Sequence, residues 1–237
     1  MNLPFCVNKV KSKFKNSARA KPKSPYLFTR NKPYTNRSCT FDNAMKIFSK
    51  NNNTEHENRL RLQKLVDNAK KSDIPIGWKK ETFAVGGLSE VGFSKNHPEL
   101  LLIVSSQGRG VIDCSKFELT ERDNDTDYDW FNSYELWSLG IGKLANEKIT
   151  VSGLCGGGLP LLNKSGDRIQ YMATEWPIID LIFEPNFKSI YKEDDGKHCF
   201  RIFHDYELRA FGFSTNGEYF ITATSSEINV YRKEKTV

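Results

Sequence analysis

The sequence has no long apolar run. The longest, Leu100 to Val104, spans five residues, against the roughly 20 that a membrane-spanning helix needs. Met1 to Val10 lacks the apolar core of a secretory signal. A soluble, cytoplasmic protein without membrane contact is therefore expected. Cysteine is also sparse. The five residues Cys6, Cys39, Cys114, Cys155 and Cys199 are odd in number and widely spaced, with no CxxC pair. That excludes a zinc ribbon, and scattered lone thiols suit a reducing compartment, where they serve as small half-buried side chains. No sequence feature calls for a metal or any other cofactor.

Acidic residues are nearly missing from one end. Residues 1–44 hold ten Lys or Arg and a single acid, Asp42, a net +9, while the other 193 residues hold 25 basic and 28 acidic side chains, a net −3. The chain's basicity thus belongs to this leader, and an electrostatic case for nucleic acid would concern the leader only. The leader also carries Pro4, Pro22, Pro25 and Pro33 and shows neither helical nor strand periodicity, so it is expected to be disordered. A nucleic-acid arm, a targeting peptide and no role at all are its three readings. Prolines and an excess of lysine over arginine weaken the second. The abrupt change of composition at Met45 favours the third, with Met45 as the start of the native protein.

What is present begins with one helix, expected at 54–70. Thr54 and Glu57 have the spacing of a capping box. Leu62, Leu65, Val66 and Ala69 form one narrow apolar face. Lys70 and Lys71 suit the carbonyl end, and Pro75 stops continuation. Residues 45–77 are read as helix and linker, and 78–237 as a β domain. Strands are expected at 81–85, 100–104, 111–114, 149–152, 169–172, 178–183, 200–203, 219–224 and 228–231, all short and rich in β-branched or aromatic residues. Ser165-Gly166, Asp195-Gly196 and Asn216-Gly217 supply hairpin turns.

The chain also matches itself. Leu88-Ser-Glu-Val-Gly-Phe-Ser-Lys-Asn96 corresponds to Leu208-Arg-Ala-Phe-Gly-Phe-Ser-Thr-Asn216, with Leu, Gly, Phe, Ser and Asn identical at an offset of 120 residues. Asp180-Leu-Ile-Phe-Glu-Pro-Asn186 is a weaker third copy. Three units of about 40 residues fill that offset, the size of a propeller blade. The segments 88–114 and 208–232 resemble WD40-type or related propeller blades, although no Trp-Asp or Gly-His dipeptide is present. The resemblance implies a mainly β fold of hairpins, propeller-like or in two sheets, that binds another protein. Gly153-Leu-Cys-Gly-Gly-Gly-Leu-Pro160 and Tyr206-Glu-Leu-Arg209 are similar to uncharacterised bacterial proteins, which implies a bacterial origin and no particular activity.

Four stretches could carry chemistry. Gly153-Leu-Cys155-Gly-Gly157 has the spacing of a nucleophile elbow, and a hydrolase using Cys155 is the alternative to a non-enzymatic scaffold. The helix that must follow such a nucleophile cannot start in Gly156-Gly157-Gly158-Leu-Pro. A bulge, a close backbone approach or an anion-binding concavity are the other readings of these glycines. Asp123-Asn-Asp125-Thr-Asp127-Tyr-Asp129 opens like a calcium loop, but Tyr128 and Tyr134 stand where Gly and Glu are required. His198 and His204, six apart, would share a strand face. Tyr128, Trp130, Phe131, Tyr134 and Trp137 cluster within ten residues and either fill a core or contact a partner. An immunity-type or accessory scaffold fits this combination best.

Overall fold

A computed structural model describes the backbone of residues 41–234 and side chains from Thr54 to Glu234. The expected disorder of the leader therefore falls, for residues 1–40, outside the described residues. Helix α1 runs from Phe41 to Asn68. It starts well before Thr54, so Thr54 and Glu57 lie within the helix rather than capping it. Phe41, Ala44, Met45 and Phe48 already stand at helical spacing, a pattern that the Asn51-Asn52-Asn53 run obscures. Nor do Lys70 and Lys71 close the helix. They form β1 and pair parallel to Phe200 and Arg201.

Fifteen further strands follow: β2 (Trp78–Ala84), β3 (Leu88–Phe93), β4 (Leu100–Ser105), β5 (Gly108–Asp113), β6 (Glu118–Asp123), β7 (Phe131–Asn132), β8 (Trp137–Leu139), β9 (Lys148–Thr150), β10 (Ser152–Gly153), β11 (Arg168–Glu175), β12 (Ile178–Glu184), β13 (Phe200–Asp205), β14 (Ala210–Phe213), β15 (Tyr219–Ala223) and β16 (Glu227–Lys233). They make four sheets, not two: β1-β13-β12-β11, β14-β15-β16-β2, β10-β3-β4-β5-β6 and β7-β8-β9. All strand pairs except that of β1 are antiparallel. The single strand expected at 149–152 is in fact split between β9 and β10, which belong to different sheets. Asp195-Gly196 is not a hairpin turn either; a short 3-10 turn, Gly196–His198, begins there.

The apolar faces specify how these layers stack. Val66 of α1 and Ala69, just past its end, pack on Met172 and Ile182 of the first sheet. The opposite face of that sheet, with Leu181 and Phe183, meets Trp78, Phe213, Phe220 and Tyr231 of the second. Ile221 and Val230 on the reverse of the second sheet meet Val91, Leu101 and Ile112 of the third. The far side of the third, with Leu102 and Val111, packs on Trp130, Leu144 and Ile149 near the fourth. Helix and sheets thus form a series of layers. Strand β4, in the middle of the third sheet, is buried on both faces, and Leu100 to Val104 are therefore all apolar rather than alternating. Burying each large side chain in this way stabilises by about 1.5–3 kcal/mol before entropy is counted.

The second sheet joins both ends of the β region, because β2 pairs with β16 along its full length from Trp78↔Lys233 to Ala84↔Glu227. The third sheet has the same register as the second. Leu102 opposes Val111 as Ile221 opposes Val230, and Phe93 opposes Leu101 as Phe213 opposes Phe220. A single connection, residues 151–163, leads from the fourth sheet to the first. On the way it bonds β3 through Leu154 N–H to Ser89 O (2.9 Å), and β14 through Phe213 N–H to Pro160 O (2.7 Å). It reaches β11 through Ile169 N–H to Leu161 O (2.9 Å). A strap thus ties together β3, β14 and β11, strands of three different sheets.

Candidate functional site

The glycine stretch lies in this strap. Gly153 pairs with Glu90 on β3, and its N–H donates to Gly156 O at 2.9 Å, closing a tight loop. A Cβ on Gly157, whose φ is +83°, would sit 2.5 Å from Val151 O, so the chain folds back closer than any side chain allows. The loop encloses a carboxylate of the protein itself. Glu90, fully buried, accepts the Cys155 N–H through Oε1 at 2.8 Å. Its Oε2 is buried and has no hydrogen-bond partner among the described residues. An amide that would serve an anion-binding concavity is thus already taken, while Gly156, Gly157 and Gly158 face solvent.

The Cys155 thiol is exposed. Partial desolvation and the Glu90 carboxylate beside it push its pKa above the usual thiol range. A nucleophilic thiol needs the reverse, a nearby cation or base. Two of the four histidines are engaged elsewhere: His204 Nδ1 lies 2.7 Å from Asp180 Oδ1, and His97 Nδ1 lies 3.6 Å from Glu99 Oε1. This geometry suits an anchored loop better than an acyl-transfer centre.

His198 and His204 do not share a strand face, since His198 ends the 3-10 turn and only His204 belongs to β13. In the acidic loop, Asp123 Oδ1 accepts the Asp125 N–H and Asp125 Oδ1 accepts the Asp127 N–H, both at 2.9 Å. Asp123 also pairs with Arg109. Those bonds hold its carboxyl below the usual carboxylate range, the loop amide contributing most. Among the described residues no three His, Cys, Asp or Glu side chains converge as a metal site.

The aromatic cluster divides. Trp130 is core, packed under Leu100, Leu102 and Val111, with Phe131 half-buried beside it. Tyr128 stacks on Trp130 (centroids 5.2 Å, planes 29° apart), and the Arg109 guanidinium lies over the same indole at 4.3 Å. Tyr134 is 95% exposed. The turn that presents it is fixed, because Asn132 Oδ1 accepts the N–H groups of Tyr134 (3.0 Å) and Glu135 (2.8 Å). Trp137 is half-buried under the Lys148 ammonium at 4.2 Å, and its Nε1–H donates to Glu135 at 2.7 Å. Sequence spacing marked the five aromatics but missed Arg109 and Glu90, charged residues within largely buried strands. That mismatch with the strand pattern was the available signal.

No family model, curated protein or solved structure matches the chain. No helix among the described residues is long and apolar enough to cross a membrane.

Proposed function

We propose that the protein is a non-enzymatic β scaffold that binds another protein, in an immunity-type or accessory role in a bacterial cytoplasm. The observation that carries this reading is the presentation of Tyr134. A large amphipathic ring stands in solvent on a turn whose backbone is already ordered, next to Trp137. Such pre-organised aromatics give contact area at little conformational cost and dominate protein interfaces. A repeated array of WD40-like, propeller-type blades fits the same role. Its support is the shared register of the second and third sheets and the joining of both ends of the β region in β2 and β16. Alpha-helix α1 covers the outer face of the first sheet, which favours an open series of blades over a closed ring. A hydrolase using Cys155 has less support, because Glu90 disfavours the thiolate.

The test is affinity purification of the tagged full chain from bacterial lysate, compared with the Tyr134→Ala, Trp137→Ala double variant. The scaffold reading expects a protein retained by the parent and lost by the variant. Identical captures from both, or none, would count against it.

A further inference from the structure

The second and third sheets do not close completely on one another. At one end, between the exit of β2 and strands β4 to β6, lies a cavity of about 130 Å³. Phe83 and Val85 form one wall, Ile103 and Ile112 the floor, and Leu119 the other wall. Leu119 is 46% exposed, an apolar side chain that the protein itself leaves uncovered.

The gap exists because of Gly110. A Cβ there would stand 3.1 Å from Ile103 Cδ1 and 3.3 Å from Leu119 Cδ1, so any larger side chain would occupy the cavity. Opposite Gly110 in the β5–β6 register is Arg122, on the same sheet face. Its Nε–H donates to Asn124 Oδ1 at 3.1 Å, which orients the guanidinium. No described residue accepts from its two Nη groups in a hydrogen bond or ion pair. The other charged residue lining the cavity is Arg109, whose guanidinium is already held by Asp123, the Leu139 carbonyl and Trp130. Arg122 is thus the cation free to receive a ligand. The lining carries positive charge and no acid.

Size and charge together specify an occupant. An apolar cavity of about 150 Å³ takes benzene, so this one takes a single ring. A guanidinium with free Nη donors binds a carboxylate by paired, charge-assisted hydrogen bonds. We propose that the cavity binds a protein segment bearing an aromatic side chain beside a carboxylate, the ring over Gly110 and the carboxylate on Arg122. The polypeptide nature of the ligand rests on the scaffold reading. One aromatic of the cluster that includes Tyr134 and Trp137 touches the cavity wall: the Tyr128 hydroxyl donates to the carbonyl of Ser105 at 3.5 Å.

The probe is N-acetyl-phenylalanine, titrated into the ¹⁵N-labelled full chain, with N-acetyl-phenylalaninamide as the uncharged control. For a ligand of this size a Kd on the order of 1 mM is expected. Amide shifts should centre on Gly86, Gly108, Gly110 and Leu119, and the control should bind about ten-fold more weakly. Arg122→Gln should remove the difference between the two ligands, and Gly110→Leu should block both. If Gly110→Leu does not fold, the exposed Arg122→Gln still decides the matter. Equal binding of acid and amide, shifts centred elsewhere, or none at several millimolar would each overturn the proposal. A captured protein partner that both Arg122→Gln and Gly110→Leu retain would overturn it while leaving the scaffold reading intact. Binding of the acid in the cavity without any protein partner would sink the scaffold reading and with it the polypeptide ligand.

Discussion

Glu90 and Cys155, 65 residues apart in the chain, meet where the strap crosses β3: the buried carboxylate accepts the Cys155 amide at 2.8 Å. The same carboxylate bears on the thiol. Negative charge and desolvation both disfavour a thiolate, so the Cys155 pKa is raised. Alkylation proceeds through the thiolate. Its rate at Cys155 should therefore be low at pH 7 and rise with a midpoint above that of an ordinary cysteine. Glu90→Gln, which removes the charge and keeps the shape, should move the midpoint down. Iodoacetamide labelling against pH, read by peptide mass spectrometry, checks this. A midpoint at or below about 8.5 would restore the nucleophile reading of Cys155.

Acid should weaken the fold in a way that Asp123 and Asp195 explain. Loop amide and Arg109 hold the Asp123 carboxyl below its ordinary range, while Lys188, at 2.9 Å, and the Ser189 N–H do so for Asp195. A carboxyl depressed in the folded state contributes stability that is fully present above its unfolded pKa, near 4, and lost as pH falls through its lower folded value. The melting temperature should hold at neutral pH and decline below about pH 4. The decline should be shallower in Asp123→Asn and Asp195→Asn, although each variant is less stable than the parent at pH 7. An unchanged acid slope in both would show that other groups govern it.

Short-range features were legible where one rule acts. Eight of the nine strands marked by β-branched or aromatic runs exist as single strands, 149–152 alone being divided between β9 and β10, and the Leu62–Ala69 stripe packs as an apolar face should. Where two rules competed, the reading failed. Thr54 and Glu57 match a capping box, yet upstream helical spacing carries the helix past them. Asp195-Gly196 can make a hairpin, but a 3-10 turn forms instead, with Asp195 tied to Lys188 and Ser189. Of the strap, the glycines suggested a close backbone approach, which Gly157 makes, but its partners on β3, β14 and β11 could not be read, because they lie far away in sequence. For the same reason Trp130 and Tyr134, neighbours in composition, could not be told apart: burial of Trp130 depends on Leu100, Leu102 and Val111. The cavity at Gly110 is a property of two sheets, and a lone glycine in β5 does not announce it.

Calcium should leave stability unchanged. The Asp123 and Asp125 carboxylates already accept amides of their own loop, and Asp123 is paired with Arg109. A cation would have to displace those bonds without the glycine turn or the bidentate glutamate of a calcium loop. A ligand that binds only the folded state raises stability by RT ln(1 + [L]/Kd). Thermal unfolding in millimolar calcium and in EDTA should therefore coincide. A rise of several degrees with calcium would overturn this account of the loop.

The two matching segments should respond alike to the same truncation. Phe93 and Phe213 are the last residues of β3 and β14. Both are buried, at 6% and 0% exposure. Each follows a glycine that admits a neighbour: a Cβ on Gly92 would lie 2.4 Å from Thr150 O, and one on Gly212 would lie 2.5 Å from Leu159 Cβ. Each precedes a serine whose N–H closes the same kind of turn, Ser94 to Leu100 O at 3.1 Å and Ser214 to Tyr219 O at 2.9 Å. The surroundings do differ. Phe213 sits in a ring cluster, 5.5 Å from Phe220 and 6.2 Å from Trp78, whereas Phe93 packs among the aliphatic residues Leu101, Ile103 and Ile221. Ring pairs add about 0.5–1.5 kcal/mol to simple burial. Phe93→Ala and Phe213→Ala should each cost about 3–5 kcal/mol, with Phe213 at the upper end. Urea unfolding with matched m-values measures both. A nearly silent Phe93→Ala would mean that the two strands are alike in register but not in packing, and the equivalence of their sheets would fail.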